Sequence, residues 1–232
     1  PDEAIDVYDA IVTRFGEATE PELRELSTQA LVNKGVTLGT LGRSAEAIEI
    51  FDAIAARFGE ATEPELREQV ARALVNKGVT LGKLGRSAEA IKVYDAIVTQ
   101  LGEATEPKLR EQVARALLGK GVTLVKLGGS GEAIKVYNSI VDRFGEATEP
   151  GLREQAARAL VNKGVTLGTL GRSADEIEVY DAIVTRFGDA TEPELRAPVA
   201  QALFFKGVTF GTLDQPAEAI QVYDAIVARF GE

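Results

Sequence analysis

Arg72, Asn76, Val79 and Lys83 stand four, three and four residues apart, so on an α-helix they form one row along one side. The chemistry open to such a row is recognition. A carboxamide carries both donor and acceptor and can hold a peptide backbone without reading its side chains. Guanidinium and ammonium groups beside it favour carboxylates. The row recurs as Gln29, Asn33, Val36 and Thr40, as Arg115, Gly119, Val122 and Lys126, and as Arg158, Asn162, Val165 and Thr169, and Phe205 takes the asparagine place in a later stretch. The arginines also have a purely local use. Glu68–Arg72, Glu111–Arg115 and Glu154–Arg158 are i,i+4 pairs in the favourable order, each worth about 0.2–0.5 kcal/mol on a helix surface.

Catalysis finds little material. Cysteine, histidine, methionine and tryptophan are absent, so there is no thiolate, imidazole base, disulfide or zinc-finger spacing. No two carboxylates stand out as acid and base, and the Gly78/Gly82 spacing is not a phosphate loop. The sequence therefore reads as a non-enzyme with no cofactor and no metal site. A net charge of −10 repels phosphate backbones, which disfavours nucleic acid. No run nears the roughly 18 apolar residues of a membrane span. A cytoplasmic fragment of a longer protein is the expectation.

The rows need helices to carry them, and the whole chain of 232 residues repeats them. Proline recurs at Pro21, Pro64, Pro107, Pro150 and Pro193, isoleucine at Ile5, Ile48, Ile91, Ile134, Ile177 and Ile220, and glycine at Gly35, Gly78, Gly121, Gly164 and Gly207, each 43 apart. A fixed period of about 20–50 residues marks a solenoid whose units cover one another's apolar faces. The chain divides into a lone helix over 1–16 and units over 17–59, 60–102, 103–145, 146–188 and 189–232, all one solenoid. In the second unit Thr62 caps a first helix with Glu65 completing a capping box, and Pro64 sits in its first turn. Its apolar stripe is Leu66, Val70, Ala73, Leu74, Leu81 and Leu84, and Gly85 ends it. This is helix A. Helix B is capped by Ser87, carries Ala90, Ile91, Tyr94, Ile97, Val98 and Leu101, and closes at Gly102. No alternating run predicts a strand. Connections of about three to five residues make consecutive helices antiparallel, eleven in all.

Leu74, Lys77, Gly78, Leu81, Gly85, Ala90 and Tyr94, with Glu89-Ala90-Ile91, resemble the tetratricopeptide repeat in spacing, and the match recurs in all five units. The period is longer than that family's usual 34 or so, with the extra length in helix A. Leu74 stands for its tryptophan, Lys77 for its leucine and Pro107 for its closing proline. The resemblance implies an all-α, antiparallel helical-hairpin solenoid wound as a right-handed superhelix, with the A helices lining a concave wall. It also implies a non-catalytic scaffold that binds a protein or peptide on that wall. Gln29, Asn33, Val36, Arg72, Asn76, Val79, Lys83, Arg115, Val122, Lys126, Arg158, Asn162, Val165 and Phe205 would then be the contact residues. The alternative is a structural or self-associating array, an oligomerisation or regulatory arm of a larger protein. Its contacts would be Ile5, Tyr8 and Val12 at one end and Val222, Ile226 and Val227 at the other.

Other recurring residues carry expectations of their own. Lys34, Lys77, Lys120, Lys163 and Lys206 fall on the apolar stripe, so each stem packs while the ammonium reaches the edge or an aspartate such as Asp52, Asp95 or Asp181. Gly78 admits the bulky Tyr94 or a closely approaching backbone, and Gly82 takes a groove-facing position with space for a ligand, although Val125 replaces it in the third unit. Acidic residues at the B-to-A corners form a rim, with Arg43, Arg86 and Arg172 on the opposite edge. In the last unit Pro198 predicts a kink or a late helix start.

Overall fold

The computed structural model describes residues 2–231. Those residues form eleven helices and no strand: α1 (Asp2–Phe15), α2 (Pro21–Thr40), α3 (Ser44–Phe58), α4 (Pro64–Lys83), α5 (Ser87–Leu101), α6 (Pro107–Lys126), α7 (Ser130–Phe144), α8 (Pro150–Thr169), α9 (Ser173–Phe187), α10 (Pro193–Thr212) and α11 (Pro216–Phe230). Even-numbered members are the A helices and odd-numbered ones the B helices. The chain forms two compact units, one ending at Thr123 and the other beginning at Leu124, within α6.

In the first unit each helix from α1 to α5 packs on the next, and α2 also packs on α4. One core joins Val32 and Leu38 of α2, Phe51, Ile54 and Phe58 of α3, and Leu66, Val70 and Ala73 of α4. A second gathers Ile48, Val75, Leu81, Tyr94, Ile97 and Ala116. In the second unit α7 to α11 pack in succession, and α8 also meets α10. Its core holds Leu160, Val161, Leu167, Tyr180, Ile183, Phe187, Leu195, Val199 and Leu203. An A helix therefore touches both a B helix and another A helix, which is why Ala71 and Val75 are buried beside the expected stripe.

Four of the five A-to-B turns close with a left-handed glycine. Gly85 has φ +75, the Arg86 N–H reaches the Leu81 carbonyl at 2.9 Å, and the Gly85 N–H reaches Gly82 at 3.4 Å. That is the Schellman pattern, which satisfies two carbonyls the helix would leave open. Asp214 takes the same place in the last unit at φ +56. Leu84, expected on the apolar stripe, is instead 48% exposed. It is the C-cap residue, φ −76 and ψ 1, and leaves the helix before the stripe would return inward.

The expected caps shift by one residue. Pro64 is the first helical residue, so the N-cap is Glu63, not Thr62, and no side chain caps the helix. The Glu63 carboxylate accepts the Thr62 N–H at 3.1 Å and sets negative charge at the positive end of α4. At α5 the N-cap is Arg86 rather than Ser87, which is buried as the first helical residue. Pro198 does not delay its helix: α10 runs from Pro193 with Pro198 buried inside it. Pro198 stands where α8 has Gln155, so only one early helix bond is forgone.

Candidate functional site

On the first unit the row residues of α2 and α4 meet across the helix-A contact. The Arg72 Nη2 donates to Asn33 Oδ1 at 3.1 Å, and the Asn76 Nδ2 donates to the Arg72 carbonyl at 2.9 Å. Asn33, Val36, Arg72 and Asn76 are half-buried, Gln29 and Lys83 are exposed, and Val79 is 41% exposed. The local Glu68–Arg72 pair gives way to the contact with Asn33, and Glu68 instead takes Lys108 at 3.2 Å. On α6, Arg115 makes a long contact with Gln112 Oε1 at 3.5 Å, and Val122 is 37% exposed. Gly119 stands in the asparagine place, and a Cβ added there would lie 2.6 Å from the Tyr94 ring.

On the second unit Lys126 is exposed, Asn162 is half-buried and Val165 is 36% exposed. Arg158 is exposed and keeps its local partner, Glu154, at 3.4 Å. Phe205 is half-buried and stacked on Tyr180, ring centroids 6.2 Å apart. Val208 continues the exposed valines. Each row thus mixes half-buried with exposed side chains. The cavity of about 210 Å³ lined by Phe58, Arg67, Val70, Leu74 and Leu101 includes none of these residues.

The recurring lysines reach the edge as expected. Lys34 pairs with Asp9, Lys77 with Asp52, Lys206 with Asp181, and Lys120 with Asp95 at 2.6 Å. In the same place opposite Lys163 stands Asn138. Gly78 faces Tyr94 as expected, and Gly35 faces Phe51, Gly164 faces Tyr180 and Gly207 faces Tyr223 in the same way. A Cβ on Gly82 would only touch Thr123 Oγ1 at 3.8 Å.

The acidic corners are less bare than their composition implies. Arg24 pairs with Glu63 at 2.6 Å, Arg67 with Glu106 at 3.0 Å and Arg153 with Glu192, each 39 residues away. Hydrogen bonds from backbone N–H groups, helped by the neighbouring arginine, hold the Glu63 and Glu106 carboxyls below the usual range. Arg43, Arg86 and Arg172 are likewise engaged, with Glu46, Glu89 and Asp175 three residues on. The 39-residue spacing was readable in the sequence but crosses a hairpin, so helical periodicity does not display it. A second unforeseen residue is Glu176, buried where the other B helices have Ala47, Ala90 and Ala133. Its carboxylate accepts the Tyr180 hydroxyl at 3.1 Å and lies over Gly168, whose added Cβ would be 2.7 Å away.

Ile5 of the proposed end contacts is buried, and Val222 and Ile226 pack on the second unit's core, whereas Val227 is 68% exposed. Val7, Ile220 and Tyr223 are the other exposed apolar side chains of α1 and α11. No helix among the described residues is long and apolar enough to cross a membrane.

The sequence model of the tetratricopeptide repeat matches residues 32–105 and 118–191. Comparison with curated proteins gave no match. Among solved structures, BtubC from P. vanneervenii aligns with a TM-score of 0.74 at 14% identity, over 97% of this chain and 86% of that one. A structure of nearly identical repeats from a Podosopora anserina protein described as a kinesin light chain aligns at 0.62 and 12% identity, over 86% and 93%. MamA from Desulfovibrio magneticus RS-1 aligns at 0.55 and 19% identity, over 87% and 93%. These likenesses establish the all-α helical-hairpin solenoid fold.

Proposed function

The chain belongs to the tetratricopeptide-repeat family, whose repeats generally mediate protein–protein interaction, and from that premise we propose that it is a scaffold binding a protein or peptide on its A helices. The observation that carries the reading is the exposure of one valine on each of four A helices. Val79, Val122, Val165 and Val208 are 36–41% exposed, the first three on helices that bury most of their other large apolar residues. Half-buried amides at Asn76 and Asn162 stand three residues from Val79 and Val165, as Asn33 does from the half-buried Val36. An apolar spot flanked by a held amide suits an extended polypeptide, which needs both a backbone partner and a place for side chains. Arg72 and Arg115 add positive charge to the first unit's wall and favour acidic groups there. No catalytic role is assigned to any residue.

Charge reversal of Arg72, Arg115 and Arg158 together tests this reading. Capture of a binding protein by the immobilised chain should be lost while far-ultraviolet circular dichroism is unchanged. Undiminished capture by the folded variant would remove these arginines from the binding face.

Self-association is a second reading, favoured by α11. Ile220 and Val227 are 59% and 68% exposed, while α10 packs on α9, the preceding B helix. Light scattering across a concentration series separates the two: a constant monomer mass rules assembly out, and a mass that grows supports it.

A further inference from the structure

On the second unit we infer that the wall made by α8 and α10 takes an uncharged, aliphatic stretch of a partner polypeptide and disfavours an acidic one. The inference rests on the scaffold reading above and adds the chemistry of the ligand. The outward row of α10 is Ala197, Gln201, Phe205, Val208 and Thr212. The corresponding places on α4 hold Glu68, Arg72, Asn76, Val79 and Lys83. Every charge of the row has been replaced by an uncharged residue, and the amide by a phenyl ring.

The ring is held in place. Phe205 stacks on Tyr180 at 6.2 Å and meets Phe204 edge-on at 5.6 Å, so little side-chain freedom remains to be lost when a ligand covers it. Val208, three residues on along α10, and Val165 of α8 are 41% and 36% exposed. Two neighbouring cations are already engaged: Arg158 with Glu154 at 3.4 Å and Lys206 with Asp181. A carboxylate laid on the α10 row would lose water without gaining a counter-charge from that row. An aliphatic side chain would remove apolar area from water on both partners.

The test uses the full chain and two capped twelve-residue peptides, each with a photoreactive leucine. One is built from leucine, valine, serine and glutamine; in the other aspartate and glutamate replace serine and glutamine. Fluorescence polarisation should show the uncharged peptide binding at least ten-fold more tightly, with the same affinity at 50 and 500 mM salt. Its cross-links should fall on α8 and α10. Phe205→Asn, which installs the residue type of Asn162, should weaken it about ten-fold, and Val208→Asp, at an exposed position, should do so without altering the melting curve. Equal or tighter binding of the acidic peptide to this wall, unchanged affinity in both variants, or cross-links elsewhere would overturn the inference. If the acidic peptide nevertheless cross-links to α2 or α4, the scaffold reading stands. If neither peptide marks any A helix, both fall.

Discussion

The ring of Tyr94 lies against the backbone of Gly78, so close that a Cβ on the glycine would sit 2.5 Å from the ring's Cε1. The hairpin of α4 and α5 is set by this contact, and Gly164 with Tyr180 repeats it at 2.4 Å in the second unit. Two opposed effects meet at Gly78. Alanine gains about 1 kcal/mol in helix propensity over glycine. Overpacking against a buried ring costs about 1–3 kcal/mol. Tyr94 is 2% exposed and cannot move aside into solvent, so the clash wins. Gly78→Ala should therefore lower stability in urea by about 1–2 kcal/mol. Gly82→Ala, which meets only Thr123 Oγ1 at 3.8 Å, should raise it by about 0.5–1 kcal/mol. Equal signs for the two variants would contradict the account of the hairpin.

Burial alone pushes the Tyr94 and Tyr137 hydroxyls up to about 12. Below pH 10 these tyrosines are protonated in both folded and unfolded chains and stability does not depend on them. Above pH 10 the unfolded chain ionises first, so the folded chain holds more protons and stability falls until the pH passes about 12. Each such tyrosine accounts for a loss of the order of 2 kcal/mol across that window. Tyr94→Phe should leave stability at pH 7 nearly unchanged and shift alkaline unfolding, followed by circular dichroism, to higher pH. Identical alkaline midpoints would show that Tyr94 ionises without opening the fold.

Lys163 lacks the aspartate that Lys34, Lys77, Lys120 and Lys206 have, because Asn138 stands in its place. The aspartates of those pairs are about half exposed, so each pair is worth what a surface ion pair is worth, about 0.2–1 kcal/mol. Asn138→Asp should add that amount at low salt and nothing at 1 M salt. Lys77→Met should stay within about 1 kcal/mol of the parent. A loss of several kcal/mol would mean that Asp52 is stranded in a buried site.

Glu176 sits at a position that elsewhere holds alanine, with Ala90 fully buried. Burial, the charge of Glu176 and the hydrogen bond Tyr180 donates to it all push the Tyr180 hydroxyl up. A buried carboxylate with one neutral donor recovers little of its lost hydration. Glu176→Ala should raise the thermal midpoint, by about 1–3 kcal/mol of stability. A lower midpoint would show that the bond to Tyr180 outweighs the desolvation.

The hairpins were legible because steric needs recur at fixed spacing: Gly78 and Tyr94 are sixteen residues apart in every copy where the aromatic is kept. The caps were not, because the helix starts at Pro64, two residues after Thr62 and one later than a threonine cap requires. Leu84 misled for a similar reason, since periodicity continues in sequence after the helix has stopped. Glu176 escaped notice because Asp175 and Glu176 replace the Glu-Ala of the other units, a shift of one residue that carries an acid from the surface into the core. Of the candidate wall, the row residues were readable from helical spacing. The link between them, Arg72 to Asn33 across two A helices, depends on a neighbour 39 residues away and needed the structure.

Site-specific photo-cross-linking tests the central claim most directly. A photoreactive residue placed at Val79 or Val165 on the A helices, or at the exposed Glu49 or Glu178 on the B helices, reports which face touches a captured polypeptide. Cross-links from Val79 and Val165 and none from Glu49 and Glu178 are the predicted result. Cross-links from the B-helix positions alone would contradict the account.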